Sequence, residues 1–194
     1  MSGQNIVTPS AESLAASAKA ASKTGIPPVH KWNPPFCGDL DMQIKRDGTW
    51  FYQGTPIGRP GLVRLFSTIL RKDGDQYFLV TPVEKVGIQV EDAPFVAIDF
   101  TQENNDLRFF TNVGDEAVAG PVHPIRVAMD PQTNEPSPYV LIRANLEALI
   151  DRKSFYRLVD LGQEGQHDGV AWFGVRSGGQ FFPIIPMADL DNSL

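Results

Sequence analysis

Asp39-Leu-Asp-Met-Gln-Ile-Lys-Arg-Asp-Gly-Thr-Trp-Phe-Tyr52 alternates apolar and polar side chains and then turns back on itself. Leu40, Met42 and Ile44 project to one side of an extended chain and Asp41, Gln43 and Lys45 to the other, the period-two pattern of a strand with one buried face. Asp47-Gly48 supplies the two-residue turn, because glycine accepts the positive φ that a tight hairpin loop requires. Trp50, Phe51 and Tyr52 read as the return strand. A β-hairpin therefore opens the folded body, with one apolar face that the next segments must cover.

Downstream, Gly54-Thr-Pro-Ile-Gly-Arg-Pro-Gly61 leads into a helix in which Leu62, Leu65, Phe66, Ile69 and Leu70 share one face, with Pro60 suited to its first turn. Lys72-Asp73-Gly74-Asp75 ends that helix. Four β-segments come next, Tyr77 to Thr81, Lys85 to Val90, Phe95 to Phe100 and Leu107 to Thr111, most economically as a meander. After Gly120-Pro121 the pattern predicts strands near Ile125 to Met129 and Tyr139 to Ile142 and a helix from about Ala144 to Asp151. Strands around Phe155 to Val159, Val170 to Val175 and Gln180 to Ile184 complete the body.

Arg59-x-x-Leu62-x-x-Leu65-Phe66 echoes Arg143-x-x-Leu146-x-x-Leu149-Ile150, and a strand follows each expected helix. A duplicated strand-helix-strand module and a chance match both account for this echo. The expected fold is α+β with mostly antiparallel sheets, divided near Asn112 to Val122 into half-domains 27–115 and 116–194. Upstream, Ser10 to Ser22 is rich in Ala and Ser with Leu14 as its single large apolar residue, so residues 1–26 read as a loose arm. Pro27, Pro28, Pro34 and Pro35 then forbid helix and favour an extended strap, with Trp32 and Phe36 as its anchors.

Composition narrows the function classes. Lys plus Arg number 17 against 23 Asp plus Glu in 194 residues, and a net charge of -6 argues against nucleic acid and anionic membranes as partners. One cysteine, Cys37, builds neither an intrachain disulfide nor a thiolate zinc site. With no apolar run of spanning length and no secretion-type start, a cytoplasmic location is expected. His30, His123 and His167 are dispersed, and Walker, Gly-x-Gly-x-x-Gly and Gly-x-Ser-x-Gly strings are missing, so no catalytic residue, metal ligand or cofactor is assigned.

The Gly-rich entry to the first helix is the sharpest local feature. Backbone N–H groups at a helix start, the Arg59 guanidinium and the Thr55 hydroxyl are donors suited to a phosphate or carboxylate. Read on the buried edge of the helix, Arg59 needs an anion, either an internal carboxylate such as Asp39, Asp41 or Glu84 or a ligand. Arg143 repeats that reading. Asp39 and Asp41 share a strand face, as magnesium-dependent phosphoryl chemistry requires and as any solvated strand also shows. Cys37 reads as packing or as a redox thiol, and Arg176-Ser-Gly-Gly179 as a hairpin turn or an anion nest.

Trp32-x-Pro34, Gly38-Asp39, Asp47-Gly48-x-Trp50, Gly54-x-Pro56-Ile57-x-Arg59, Leu62-Val63-x-Leu65-Phe66 and Thr81-Pro82-Val83-Glu84-Lys85 together resemble the bacterial domain-of-unknown-function family 1285, densely up to Phe95 and thinly beyond. The resemblance implies a duplicated core, a second half superficially like a pleckstrin-homology fold, and a ligand site where the halves meet, with a nucleotide-like ligand and a role in signalling. The expectation is then a non-catalytic sensing or regulatory module for a small anionic ligand, with Arg59, Arg143, Thr55 and Glu84 as contacts and Trp32 as lid or stacking face. The alternatives are a protein-protein interaction module and a metal-dependent phosphate-processing enzyme built on Asp39 and Asp41.

Overall fold

The computed structural model describes residues 8–190. The chain divides into two compact units, Met1–Asp92 and Ala93–Leu194. The expected boundary at 115/116 falls inside the second unit, where a turn joins two strands of one sheet.

The first unit contains α1 (Ala11–Ala21), a 3-10 turn (Val29–Lys31), β1 (Phe36–Ile44), β2 (Trp50–Tyr52), β3 (Thr55–Pro56), α2 (Pro60–Thr68), β4 (Leu70–Asp73), β5 (Gln76–Val80) and β6 (Lys85–Val90). Its strands form one sheet in the order β3-β2-β1-β6-β5-β4. Each sequential pairing is antiparallel, whereas β1 and β6 run parallel at the centre. Alternation along β1 buries Leu40, Met42 and Ile44, with Leu79 and Val86 buried from neighbouring strands. Trp50 stacks on Phe66 of α2, with ring centroids 6.4 Å apart, and both are almost fully buried.

The segment read as a loose arm is a docked helix. Leu14 and Ala18 of α1 are fully buried and α1 packs against α2. Ser10 caps it by accepting from the Ser13 N–H at 3.2 Å, and Ser13 reciprocates. Eleven residues are marginal as an isolated helix, so packing on α2 holds this one. Downstream, α2 ends at Thr68 and Leu70 opens β4, which takes in Lys72 and Asp73 of the stretch read as a helix stop. The proline-rich strap is pinned by its backbone: the Arg71 guanidinium on β4 donates to the carbonyls of Val29 at 2.9 Å and Trp32 at 2.7 Å. Trp32 is half-buried, and Phe36, expected as an anchor, starts β1 largely exposed with its edge toward Phe78.

The second unit contains β7 (Phe95–Glu103), β8 (Asp106–Thr111), β9 (Glu116–Val118), β10 (Ile125–Met129), β11 (Pro136–Arg143), β12 (Leu146–Ile150), α3 (Arg152–Asp160), β13 (Gln163–His167), β14 (Val170–Ser177), β15 (Gln180–Pro186) and α4 (Met187–Leu190). Its main sheet has the order β10-β11-β12-β7-β8-β9, and β13-β14-β15 form a small antiparallel sheet. Here too two three-stranded meanders join through a parallel pair, β7 with β12. The order β3-β2-β1-β6-β5-β4 recurs as β9-β8-β7-β12-β11-β10, so the chain carries the same six-stranded plan twice. The repeat is therefore a mixed sheet rather than a strand-helix-strand module. Strands dominate the chain, so α+β describes it only loosely.

Two expected elements exchange character. Residues 144–151, read as a helix, form a turn and then β12, in which Leu146, Ala148 and Ile150 are buried at period two. Ala144, with φ at 47°, makes the reversal from β11. Residues 155–159, read as a strand, lie in α3, which Asp151 caps by accepting from the Ser154 N–H at 2.8 Å while Ser154 and Leu158 are buried one turn apart.

Candidate functional site

Arg59 takes an extended conformation as the N-cap of α2 and has no side-chain capping bond, so it stands before the helix and not on its buried edge. Its side chain is exposed, as are Thr55 and Gly61 on either side of it in the chain. Pro60 at the first helical position has no N–H, which leaves the Gly61 amide as the first donor of the helix. Thr55 lies in the short strand β3 and Arg59 at the helix start that follows it, and both are exposed. Among the described residues no carboxylate forms an ion pair with Arg59, whereas Arg46, Arg71, Arg108, Arg126, Arg143 and Arg157 each meet one.

Arg143 does not repeat this arrangement. It ends β11, and no helix begins there. Its half-buried guanidinium lies 3.5 Å from the Asp115 carboxylate and 5.1 Å from the centre of the Phe95 ring. Burial pushes its pKa below the usual arginine value, and Asp115 opposes that shift. The protein supplies the anion that this arginine needs.

Glu84 is buried in the turn between β5 and β6, where Thr81 Oγ1 accepts from the Glu84 N–H at 3.2 Å. Its carboxyl pKa is raised by burial, and a hydrogen bond with Ser13 of α1 offsets only part of that. It faces α1 and is not brought to Arg59. Trp32 belongs with the strap that Arg71 clamps. Arg71 also meets Asp73 at 2.9 Å, and Lys85 meets the same carboxylate at 2.7 Å. Sequence reading missed this clamp because its parts are spread over three segments; the one available signal was a basic residue beside the strand end Lys72-Asp73.

On the open face of the first sheet a groove of about 560 Å³ runs over β1, β6 and β5. Asp39, Gly87 and Phe78 form one cross-strand row of this face, and Gln43 pairs with Gln89 in the next. Asp39 lines the groove; Asp41, its expected partner in metal-assisted chemistry, does not. Among the described residues no group of three His, Cys, Asp or Glu side chains is placed to hold a metal ion. Arg176-Ser-Gly-Gly179 is the β14–β15 hairpin turn, with Ser177 opposite Gln180. Ser177 is buried, donating to the Ala119 carbonyl at 2.7 Å and accepting from the Leu107 N–H at 2.8 Å, a tie within the second unit. Cys37 is half-buried and donates weakly to the Pro35 carbonyl. No described helix is long and apolar enough to cross a membrane.

Comparison with known proteins agrees with the two-unit division. Residues 27–93 match the N-terminal domain, and residues 94–184 the C-terminal domain, of a family described as a domain of unknown function, DUF1285. The crystal structure of a DUF1285 family protein from Silicibacter pomeroyi is similar with 61% identity over 92% of this chain and 97% of that one, at a TM-score of 0.82. One from Shewanella baltica shares 30% identity over 62% of this chain and 91% of its own, at a TM-score of 0.51. No curated protein matches. Two family domains placed end to end over the two folded units, with crystal structures that superpose on them, show that this chain belongs to the DUF1285 family.

Proposed function

We propose that this chain is a non-catalytic sensing or regulatory module that binds a small anionic ligand of nucleotide-like chemistry and serves signal transduction. The observation that carries the reading is Arg59, exposed at the start of α2, which has no side-chain cap, with no carboxylate paired to it among the described residues and with exposed Thr55 on the strand just before it in the chain. A phosphate there gains a guanidinium, a hydroxyl and the Gly61 N–H, since Leu62 and Val63 already donate to the Arg59 carbonyl, and the helix dipole also favours negative charge. Arg143 falls out of the contact set because Asp115 already meets it, and Glu84 and Trp32 serve α1 and the strap.

The test is a thermal-shift and calorimetric screen of nucleoside mono-, di- and triphosphates against the full chain, Arg59→Ala and Thr55→Ala. Binding that falls about tenfold or more in Arg59→Ala is expected, consistent with loss of one charge-assisted contact. If no phosphate-bearing compound binds, or Arg59→Ala binds as well as wild type, the reading is wrong.

A second reading, a protein-docking module with a pleckstrin-like second unit, is favoured by Val122, 74% exposed just before edge strand β10, and by exposed Met129 on that strand. Val122→Asp together with Met129→Lys should abolish capture of a partner in that case and leave nucleotide binding untouched.

A further inference from the structure

The strap and α1 follow one another in the chain but are held by different means. The strap is tied by the charged Arg71 bonds to Val29 and Trp32, within the residues 27–93 that match the family domain. The eleven-residue α1 lies ahead of that match, packs against α2 and buries Leu14 and Ala18. We propose that α1 is a releasable lid over a helix-docking groove formed by α2 and the β5–β6 turn. Its competitor for that groove is a partner protein's helix of the same make: small residues, one leucine, and a hydroxyl-bearing residue just before it to meet Glu84.

The lid is weakly held. Burying one leucine and one alanine does little against the backbone entropy of a helix too short to be stable alone. Ser22 Oγ meets Thr68 Oγ1 at 3.2 Å, but Thr68 already donates to the Leu65 carbonyl at 2.6 Å. At the other contact, Glu84 is buried with no basic side chain ion-paired to it among the described residues. Its neighbour Lys85 is taken by Asp73 and the Phe78 ring, while Glu12 and Lys19 of α1 and Arg64 of α2 are exposed. The single hydroxyl proton of Ser13 serves both Glu84 and the Ser10 carbonyl, 3.0 Å away. A charged carboxylate at this contact is therefore poorly compensated and works against docking, in keeping with the raised Glu84 pKa. The tether also suits release. Lys23-Thr-Gly-Ile26 is exposed throughout, Gly25 takes a φ of 111°, and the chain is buried again only at Pro27.

Hydrogen exchange on the wild-type chain reads release directly: amides of residues 14–21 should exchange at least about 100-fold faster than those of β1 and β6. A fluorescent peptide of residues 8–24, standing in for the partner helix, reads the groove. It should bind the Leu14→Asp chain, whose own lid is displaced, at least about tenfold more tightly than wild type, where the tethered α1 competes at high effective concentration. The same peptide carrying Leu14→Asp should not bind. Exchange of α1 at the rate of the strands, a Leu14→Asp chain that fails to fold, or a folded one that binds no peptide would each show that α1 is a fixed part of the unit and overturn the proposal. Wild-type dimers with exchanged α1 helices would assign the groove to a second copy and overturn the choice of occupant. Arg59→Ala should leave both measurements unaltered, so this outcome is separable from that of the anion site.

Discussion

The first unit places α2 between its third and fourth strands, whereas the second crosses the same step with the short stretch from Ala119 to Pro124 and keeps its helix, α3, for after the sixth strand. The strand order and the central parallel pair are nevertheless identical. The sheet is therefore the shared solution within this chain, and a helix is attached wherever one of its faces needs apolar cover. In the first unit that cover is Phe66 on Trp50, with α1 laid over α2. In the second, Leu158 of α3 is buried and α3 packs beside β7 and β14.

If the covers are separate devices, breaking one should spare the other. Phe66→Ala removes a fully buried ring from the first unit and should cost about 3–5 kcal/mol. Hydrogen exchange should then show lost protection concentrated in residues 8–92. Leu158→Ala should cost about 2–5 kcal/mol with the loss in residues 93–190. Equal loss in both units from either substitution would show that the repeat is one cooperative structure.

The arginines sharpen the contrast next. Asp115→Ala in the second unit strands a half-buried guanidinium over the Phe95 ring, and a cost of about 2 kcal/mol is expected, less than for a fully buried pair because both side chains keep some water. Arg59→Ala in the first unit should change denaturant stability by less than about 0.5 kcal/mol, as for an ordinary surface residue. A large stability loss from Arg59→Ala would mean that this side chain holds the fold and is not reserved for a ligand.

The length of each local signal governs how much of the fold and the candidate site is legible in the sequence. The β1–β2 hairpin and most later strands are readable because alternation runs over several residues and a glycine-bearing turn comes after it. The α2 start is readable from Pro60. Residues 143–150 defeat the reading because Leu146, Leu149 and Ile150 fit a helix face while Leu146, Ala148 and Ile150 fit a strand, and eight residues do not separate the periods. Only the partner strands β11 and β7 decide it. The parallel pairs and the Arg71 clamp depend on contacts between distant segments, and local pattern holds no trace of them. The sequence places Arg59 at the helix start but misjudges its orientation, since the helix begins one residue after it.

A further contrast lies within the first unit, between two carboxylates that titrate in opposite senses. Burial works to raise the Asp73 pKa, but hydrogen bonds from Arg71 and Lys85 outweigh it and hold the group below its ordinary 3.8. Its contribution is therefore present above pH 3.8 and is lost as pH falls through the lower folded value. Glu84 is raised above its ordinary 4.5, so its contribution is full below pH 4.5 and is lost as pH rises through the higher folded value. Mild acidification from neutrality should then tighten α1, and stronger acid should release the strap. Proteolysis and exchange at residues 11–21 and 27–35, followed from pH 7 down to about pH 3, should show the two responses in that order. Glu84→Gln should remove the first, with a gain at neutral pH of up to about 1 kcal/mol, and Asp73→Asn the second. An α1 whose protection in wild type and Glu84→Gln follows the same pH curve would show that the buried carboxyl does not govern its docking, leaving Leu14 and Ala18 as the contacts that do.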